Sequence, residues 1–171
     1  ISVSRPDGSG DVTEALVAYG KKVASLTKHL SGYIFCAKSP TCGMERVKVY
    51  SPQGNALKAN GIGVFANEIM KANPLLPCEE NGRLNDVLIR ENFIARVYAY
   101  KHWQKLIESG LTKHKLTCFH SQYKYTVMSH DLIAYKHLGQ LLARSDMALA
   151  EMADQYISGL MNALKIIATR K

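Results

Sequence analysis

Tyr33-Ile34-Phe35-Cys36-Ala37-Lys38-Ser39-Pro40-Thr41-Cys42-Gly43 is the stretch on which the reading of this sequence turns. Tyr33 to Cys36 is a short apolar, β-rich run of the kind that forms a buried strand. Lys38 to Gly43 then reads as a loop, with Pro40 fixing a turn. Gly43 allows close backbone approach or a positive φ. Between them Cys42 is held in a defined direction, and Lys38 and Arg46 supply positive charge that favours a thiolate. In open α/β sheets, ligands gather at the carboxyl ends of strands. The pattern suits a thiolate nucleophile or a thiolate metal ligand, and equally a cysteine in a tight turn with no chemistry.

Outward from this loop, the upstream chain is turn-rich from Ser4 to Gly10. Asp11 and Glu14 then have capping-box spacing. Val12, Leu16, Tyr19, Val23 and Leu26 follow at helical spacing, and Ser31-Gly32 closes the helix. Downstream, Val47 to Tyr50 alternates like a second short strand, Ser51 to Asn55 is a turn, and Val64 to Lys71 is a helix. Helix, strand, loop and helix in that order fit part of an α/β layer. Asn73-Pro74-Leu75-Leu76-Pro77 cannot continue a helix and reads as a packed, extended connector. Glu79 to Asp86 reads as a polar loop with Asn85 or Asp86 available as a cap.

Everything after Asp86 carries helical periodicity. A first helix spans 88–107, with Ile94, Val97, Tyr98 and Leu106 on one face. A second spans 113–128, a third starts near Ser129-His130-Asp131, and a fourth carries Leu149, Met152, Tyr156, Leu160, Leu164 and Ile167. Short connections predict an all-α helical bundle. The fold class is therefore an α/β portion, short strands plus helices, over 1–84, followed by a helical domain over 85–171.

The 171 residues are 47% hydrophobic and 21% charged, the composition of a folded globular chain. No apolar run approaches the roughly 20 residues of a membrane span, and the first residues lack the pattern of a signal peptide. The missing initial Met and the Thr169-Arg170-Lys171 end predict a piece of a longer chain. Cys36, Cys42, Cys78 and Cys118 form no CxxC pair, which excludes a zinc ribbon and points to a reducing, cytoplasmic setting. The net charge of +8 is uneven. Residues 1–80 carry nine Lys/Arg against seven Asp/Glu, and residues 81–171 carry thirteen against seven. A basic half fits either a polyanion such as RNA or an ordinary lysine-rich surface.

Several motifs in fixed order resemble known families. Ser31-Gly32-Tyr33-Ile34-Phe35 with Lys38-Ser39-Pro40-Thr41-Cys42-Gly43, then Glu45 to Tyr50, Gly61 to Ala66, Pro74 to Pro77 and Glu79 to Asp86, resemble the C-terminal part of a thiouracil desulfidase (TudS-like) domain. Phe119-His120, Tyr123-Lys124-Tyr125, Met128-Ser129-His130, Tyr135 and Leu138 to Ala143 resemble the start of the helical YbgA-like domain. The resemblance implies a [4Fe-4S] cluster on three cysteines, with one iron open to take sulfur from a thiolated uracil. Cys42 matches the last of the three ligands. Ser39 matches a serine that donates a proton or positions substrate. The family's other two cysteines and an acidic catalytic residue lie in earlier motifs that this sequence lacks. The expectation is a desulfidase in the full-length protein, with this piece inactive and without a cluster of its own.

In the helical half, basic residues interleave with tyrosines. Lys113, Lys115, His120, Lys124, Tyr125, His130 and Lys136 are the candidate RNA contacts, and between Lys113 and Gln140 the only acid is Asp131. Each of these side chains fits an ordinary packing or capping role equally well. The partners expected are RNA, tRNA included, or a thiolated nucleobase, and no membrane. A second function hypothesis is a non-catalytic RNA-binding or scaffolding helical module. A third is self-association through exposed apolar surface.

Overall fold

Apolar side chains at three- and four-residue spacing build both ends of this protein, and a minimal parallel sheet builds the middle of its first half. The structure is a computed structural model that describes residues 2–5, 7, 10–51, 53–57 and 59–168. Pro6, Gly8 and Ser9 of the turn-rich start, Pro52 of the 51–55 turn, and Thr169 to Lys171 lie outside the described residues. The chain forms two compact units, Ile1–Val87 and Leu88–Lys171.

In the first unit, α1 spans Thr13–Leu26. Its N-cap is Val12, one residue after the expected Asp11. The Asp11 carboxylate still accepts from the Thr13 backbone N–H at 2.7 Å, but from outside the helix. The helix stops before the expected Ser31-Gly32 because Thr27 turns both its N–H and its hydroxyl onto the Ala24 carbonyl. The Asn73 amide, at the end of the next helix, donates to that Thr27 hydroxyl at 3.1 Å. α2 spans Val64–Ala72. It packs on α1, with Tyr19 stacked on Phe65 at 5.7 Å. At Gly20 a Cβ would stand 3.0 Å from the Glu68 Cβ, so the two helices approach where α1 has no side chain.

The strand β1, Tyr33–Phe35, pairs in parallel with β2, Cys78–Glu80. The register sets Tyr33 against Cys78, Ile34 against Glu79 and Phe35 against Glu80. Three expectations are corrected here. β1 is buried on one face only, since Phe35 is enclosed while Ile34 is 53% exposed. Val47 to Tyr50 makes only isolated antiparallel bridges, Val47 with Gly61 and Tyr50 with Ala56. The partner strand comes instead from Cys78-Glu79-Glu80, within the segment read as a polar loop. Its charge disguised it, because both carboxylates are buried and find polar partners inside the fold. The preceding connector is packed as expected, with Leu76 and Pro77 enclosed.

The second unit is helical: α3 Val87–Glu108, α4 Lys113–His130, α5 Leu132–Ala143 and α6 Leu149–Ala163. Thr112 caps α4 by accepting from Lys115 N at 3.1 Å, and Asp131 caps α5 by accepting from Ile133 N and Ala134 N. α5 and α6 meet at Gly159, where a Cβ would reach within 2.8 Å of Leu138. The core is aromatic. Tyr156, wholly enclosed, lies 6.3 Å from Trp103 and 6.1 Å from Phe119 by ring centroids. On α3, Leu106 is buried as expected, but the rest of the inner face is corrected: Phe93, Ala99 and Trp103 are buried, while Ile94 and Tyr98 are 46% and 72% exposed. The true stripe has its largest ring at Trp103, and the interior forms around that ring.

Candidate functional site

The loop after β1 is assembled from its own backbone. The Ser39 hydroxyl oxygen accepts from Thr41 N at 3.2 Å and Cys42 N at 3.1 Å, and the Ser39 carbonyl accepts from Gly43 N at 2.8 Å. A serine that bonds back to the following N–H groups closes a tight turn. The middle of the loop then caps α2. Val64 N donates to the Pro40 carbonyl, Phe65 N and Ala66 N to the Thr41 carbonyl, and Gly63 N to the Gly43 carbonyl. The first N–H groups of a helix have no partner within it, and here backbone carbonyls of the loop take the place of a capping side chain.

Two glycines permit this contact. A Cβ on Gly63 would stand 2.4 Å from the Thr41 oxygen, and one on Gly43 would stand 2.5 Å from a Val47 methyl. Of the two roles open to Gly43, close approach is the one found, since positive-φ glycines among the described residues are Gly10, Gly54 and Gly110. The left-handed conformation falls on Lys38, at φ 62°, and Arg46, at φ 55°, which flank the loop. Non-glycine residues rarely hold such angles unless the surrounding structure imposes them.

Residues at and just after the end of β2 bind the chain next to these two positions. The Glu80 carboxylate accepts from Met44 N at 2.8 Å and Glu45 N at 3.4 Å. The Asn81 side-chain oxygen accepts from Ala37 N at 3.0 Å. Arg83 spans Glu79, at 2.6 Å, and Glu45, at 2.5 Å, and Arg46 also pairs with Glu45. A cleft of about 800 Å³ opens beside the loop, lined in part by Lys38, Pro40, Arg46, Lys48, Tyr50 and Glu80. Sequence reading missed Glu80 and Asn81 as parts of this site. The available signal was a pair of carboxylates directly after a packed Leu-Leu-Pro connector.

Cys42 is half-buried and Ser39 likewise. Tyr33 borders the thiol: its own burial first, and the Cys42 thiol next, push the Tyr33 hydroxyl up. The remaining cysteines do not join Cys42 in a ligand set. Cys36 is exposed, Cys78 is buried in β2, and Cys118 lies in the other unit. Among the described residues no three His, Cys, Asp or Glu side chains gather at metal-ligating spacing. These residues alone do not fit a three-cysteine iron–sulfur cluster.

The candidate RNA contacts in the second unit occupy varied environments. Lys113 donates to the Arg144 carbonyl at 2.9 Å, and Lys115 donates to the Ser109 and Gly110 carbonyls at 2.6 and 2.9 Å, so both ammoniums satisfy chain ends of helices. His120 Nδ1 lies 3.1 Å from the Tyr156 hydroxyl, and burial pushes that tyrosine's pKa well up. His130 donates from Nδ1 to the Ile166 carbonyl. Lys124 stands 5.0 Å from the Tyr125 ring centre, Tyr125 is 62% exposed, and Lys136 is exposed. At 3.6 residues per turn, Lys113, His120 and Lys124 share one stripe of α4 and Lys115 lies on the opposite one. The structure does not bring all seven onto one face.

Among the described residues no helix is long and apolar enough to cross a membrane. Residues 2–81 match the family model for 2-thiouracil desulfurase. Residues 124–171 match DUF1722, a protein family of unknown function that is the YbgA-like family. No curated protein and no solved structure matches the chain. Residues 2–81 are thus similar to the 2-thiouracil desulfurase family and residues 124–171 to the YbgA-like family, and the first match supports a desulfidase-related function.

Proposed function

We propose that the first unit is the part of a desulfidase that presents the 38–43 loop to thiolated uracil, as a nucleoside or within RNA. The match of residues 2–81 to a desulfurase family carries this reading. The loop geometry supports it. Ser39 uses oxygen lone pairs to hold Thr41 N and Cys42 N, which leaves its single O–H proton free to donate to a substrate. Cys42 contributes one thiolate of a [4Fe-4S] cluster in the full-length protein. The other thiolates are not supplied by the described residues. The second unit assists by holding RNA, with exposed Tyr125, Lys124 beside it and Lys136 offering a stacking ring and cations.

The test is anaerobic reconstitution of the full-length protein with iron and sulfide, followed by sulfide release from 2-thiouracil, thiouridine and thiolated RNA. Cluster content that disappears in Cys42→Ala, and sulfide release that is lost in Ser39→Ala with cluster content intact, are the expected results. A cluster indifferent to Cys42→Ala, or none in the wild-type protein, overturns the proposal.

A further inference from the structure

The 38–43 loop is fixed at its centre by α2, and its departure from the site is held from a distant part of the chain, by Glu80 on the Met44 and Glu45 backbone and by Arg83 on the Glu45 carboxylate. Glu80 is 2% exposed, and its Oε1 takes the Met44 and Glu45 N–H groups, the two that directly follow Cys42-Gly43. Its neighbour Glu79 has an arginine, Arg83, as partner. Both carboxylates therefore reach the 44–45 segment, Glu79 through Arg83 and the Glu45 side chain, Glu80 directly through the backbone. A buried carboxylate is costly unless hydrogen bonds compensate it, and bonds to an ionised acceptor are the strong ones. Here Glu80 is committed to loop backbone. Asn81 makes the matching bond at the other side of the loop, to Ala37 N.

From this arrangement we infer that Glu80 is a positioning residue: its carboxylate sets the direction and accessibility of Cys42 by holding the chain that leaves Cys42-Gly43. The role extends the function proposed above, but the geometry that carries it stands whether or not the thiol binds a cluster. The left-handed backbone of Arg46 directly follows the clamped Glu45. Cys78 provides an internal control. It is buried two residues before Glu80 on the same strand, so its alkylation reports opening of the sheet.

The experiment is site-resolved alkylation of the full chain with iodoacetamide, followed by peptide mass mapping of Cys36, Cys42, Cys78 and Cys118. Glu80→Ala removes the acceptor, Glu80→Asp keeps the charge and shortens its reach, and Glu80→Gln keeps an acceptor oxygen at the same reach. Glu80→Ala is expected to raise the Cys42 rate by about tenfold, as loss of a charge-assisted restraint favours local opening. Cys78 should stay protected, Glu80→Asp should fall between, and Glu80→Gln should restore a rate near wild type. Equal gains at Cys42 and Cys78 would assign Glu80 to general stability and overturn the inference, as would an unchanged Cys42 rate. If Glu80→Ala does not fold, Glu80→Asp decides on the same criteria, with Glu80→Gln as the rescue that should stay near wild type. Absence of desulfidase activity in the reconstituted protein, with the Cys42-selective response present, defeats the proposed function and leaves this inference standing.

Discussion

His120 shows how one residue of the basic half is committed to the interior. Its ring is 5.8 Å from Tyr156 by centroids, and burial first, with Lys124 second, holds its pKa below the ordinary 6.5. The unfolded chain binds a proton at the ordinary value, and the folded chain binds it only at lower pH. Stability present above about pH 6.5 is therefore lost as pH falls from there through the folded-state value. Thermal melts at about pH 7.5 and about pH 5.5 should show an acid loss that His120→Gln reduces; an equal loss in the variant would remove His120 as its source. At this scale the sequence was informative where chemistry follows from side-chain type. The Pro40 to Gly43 turn and the helix start near Asp131 were legible, as was close approach as one of two roles for Gly43. The burial of Glu79 and Glu80 was not, because a carboxylate reads as surface until its partners, Met44 N, Glu45 N and Arg83, are known to lie nearby.

At the scale of elements, capping decides where the helices of the second unit begin. Asp131 both ends α4 and starts α5, and its carboxylate satisfies two N–H groups of α5 at 2.8 and 3.0 Å. Asp131→Ala should cost about 1 kcal/mol. In a unit of this size that lowers the melting midpoint by roughly 4–8 °C. A circular-dichroism melt measures it, and an unchanged midpoint would mean that packing, not the cap, fixes the turn. α2, α4 and α5 followed from periodicity and end signals. β2 did not, since Cys78-Glu79-Glu80 has neither alternation nor β-branched residues, and only pairing to Tyr33–Phe35 makes it a strand. On α3, Ile94 and Tyr98 suggested an apolar face that the Phe93, Ala99 and Trp103 stripe displaces. Two overlapping stripes on one helix cannot be ranked until the rings opposite, Phe119 and Tyr156, are in place.

At the scale of the whole molecule, charge is the property that the sequence reports most directly and explains least. The net +8 is a sum, and the structure separates its members. Lys113 and Lys115 neutralise helix ends, whereas Lys136 is exposed and Lys124 borders exposed Tyr125. For the proposed RNA contact, affinity for single-stranded RNA should fall with salt. Lys124→Ala and Lys136→Ala should each reduce the log–log slope by about 0.7, the value for one phosphate contact on a single strand. Lys113→Ala and Lys115→Ala should change melting temperature instead. Filter binding across a salt series distinguishes these outcomes, and equal slope changes at all four lysines would restore them to a single patch. The division into an α/β portion and a helical portion was legible throughout, because proline-rich connectors and long periodic stretches are local signals. The clamp on the Cys42 loop was not, because Phe35 and Glu80 meet only after the chain has closed a long circuit through α2.

That circuit also sets an order of events during synthesis. β1 and the Cys42 loop leave the ribosome first, but their sheet partner and the side chains that grip the loop, Glu80, Asn81 and Arg83, emerge only after α2 has been made. Non-local parallel pairing is slow to form because the intervening chain must be ordered first. Until it forms, Cys42 belongs to a nascent segment open to oxidants and to chance metal ions. The protection of this thiol is thus ordered by translation, and the interval closes only after β2 and the residues that follow it have emerged and paired with β1 and the loop.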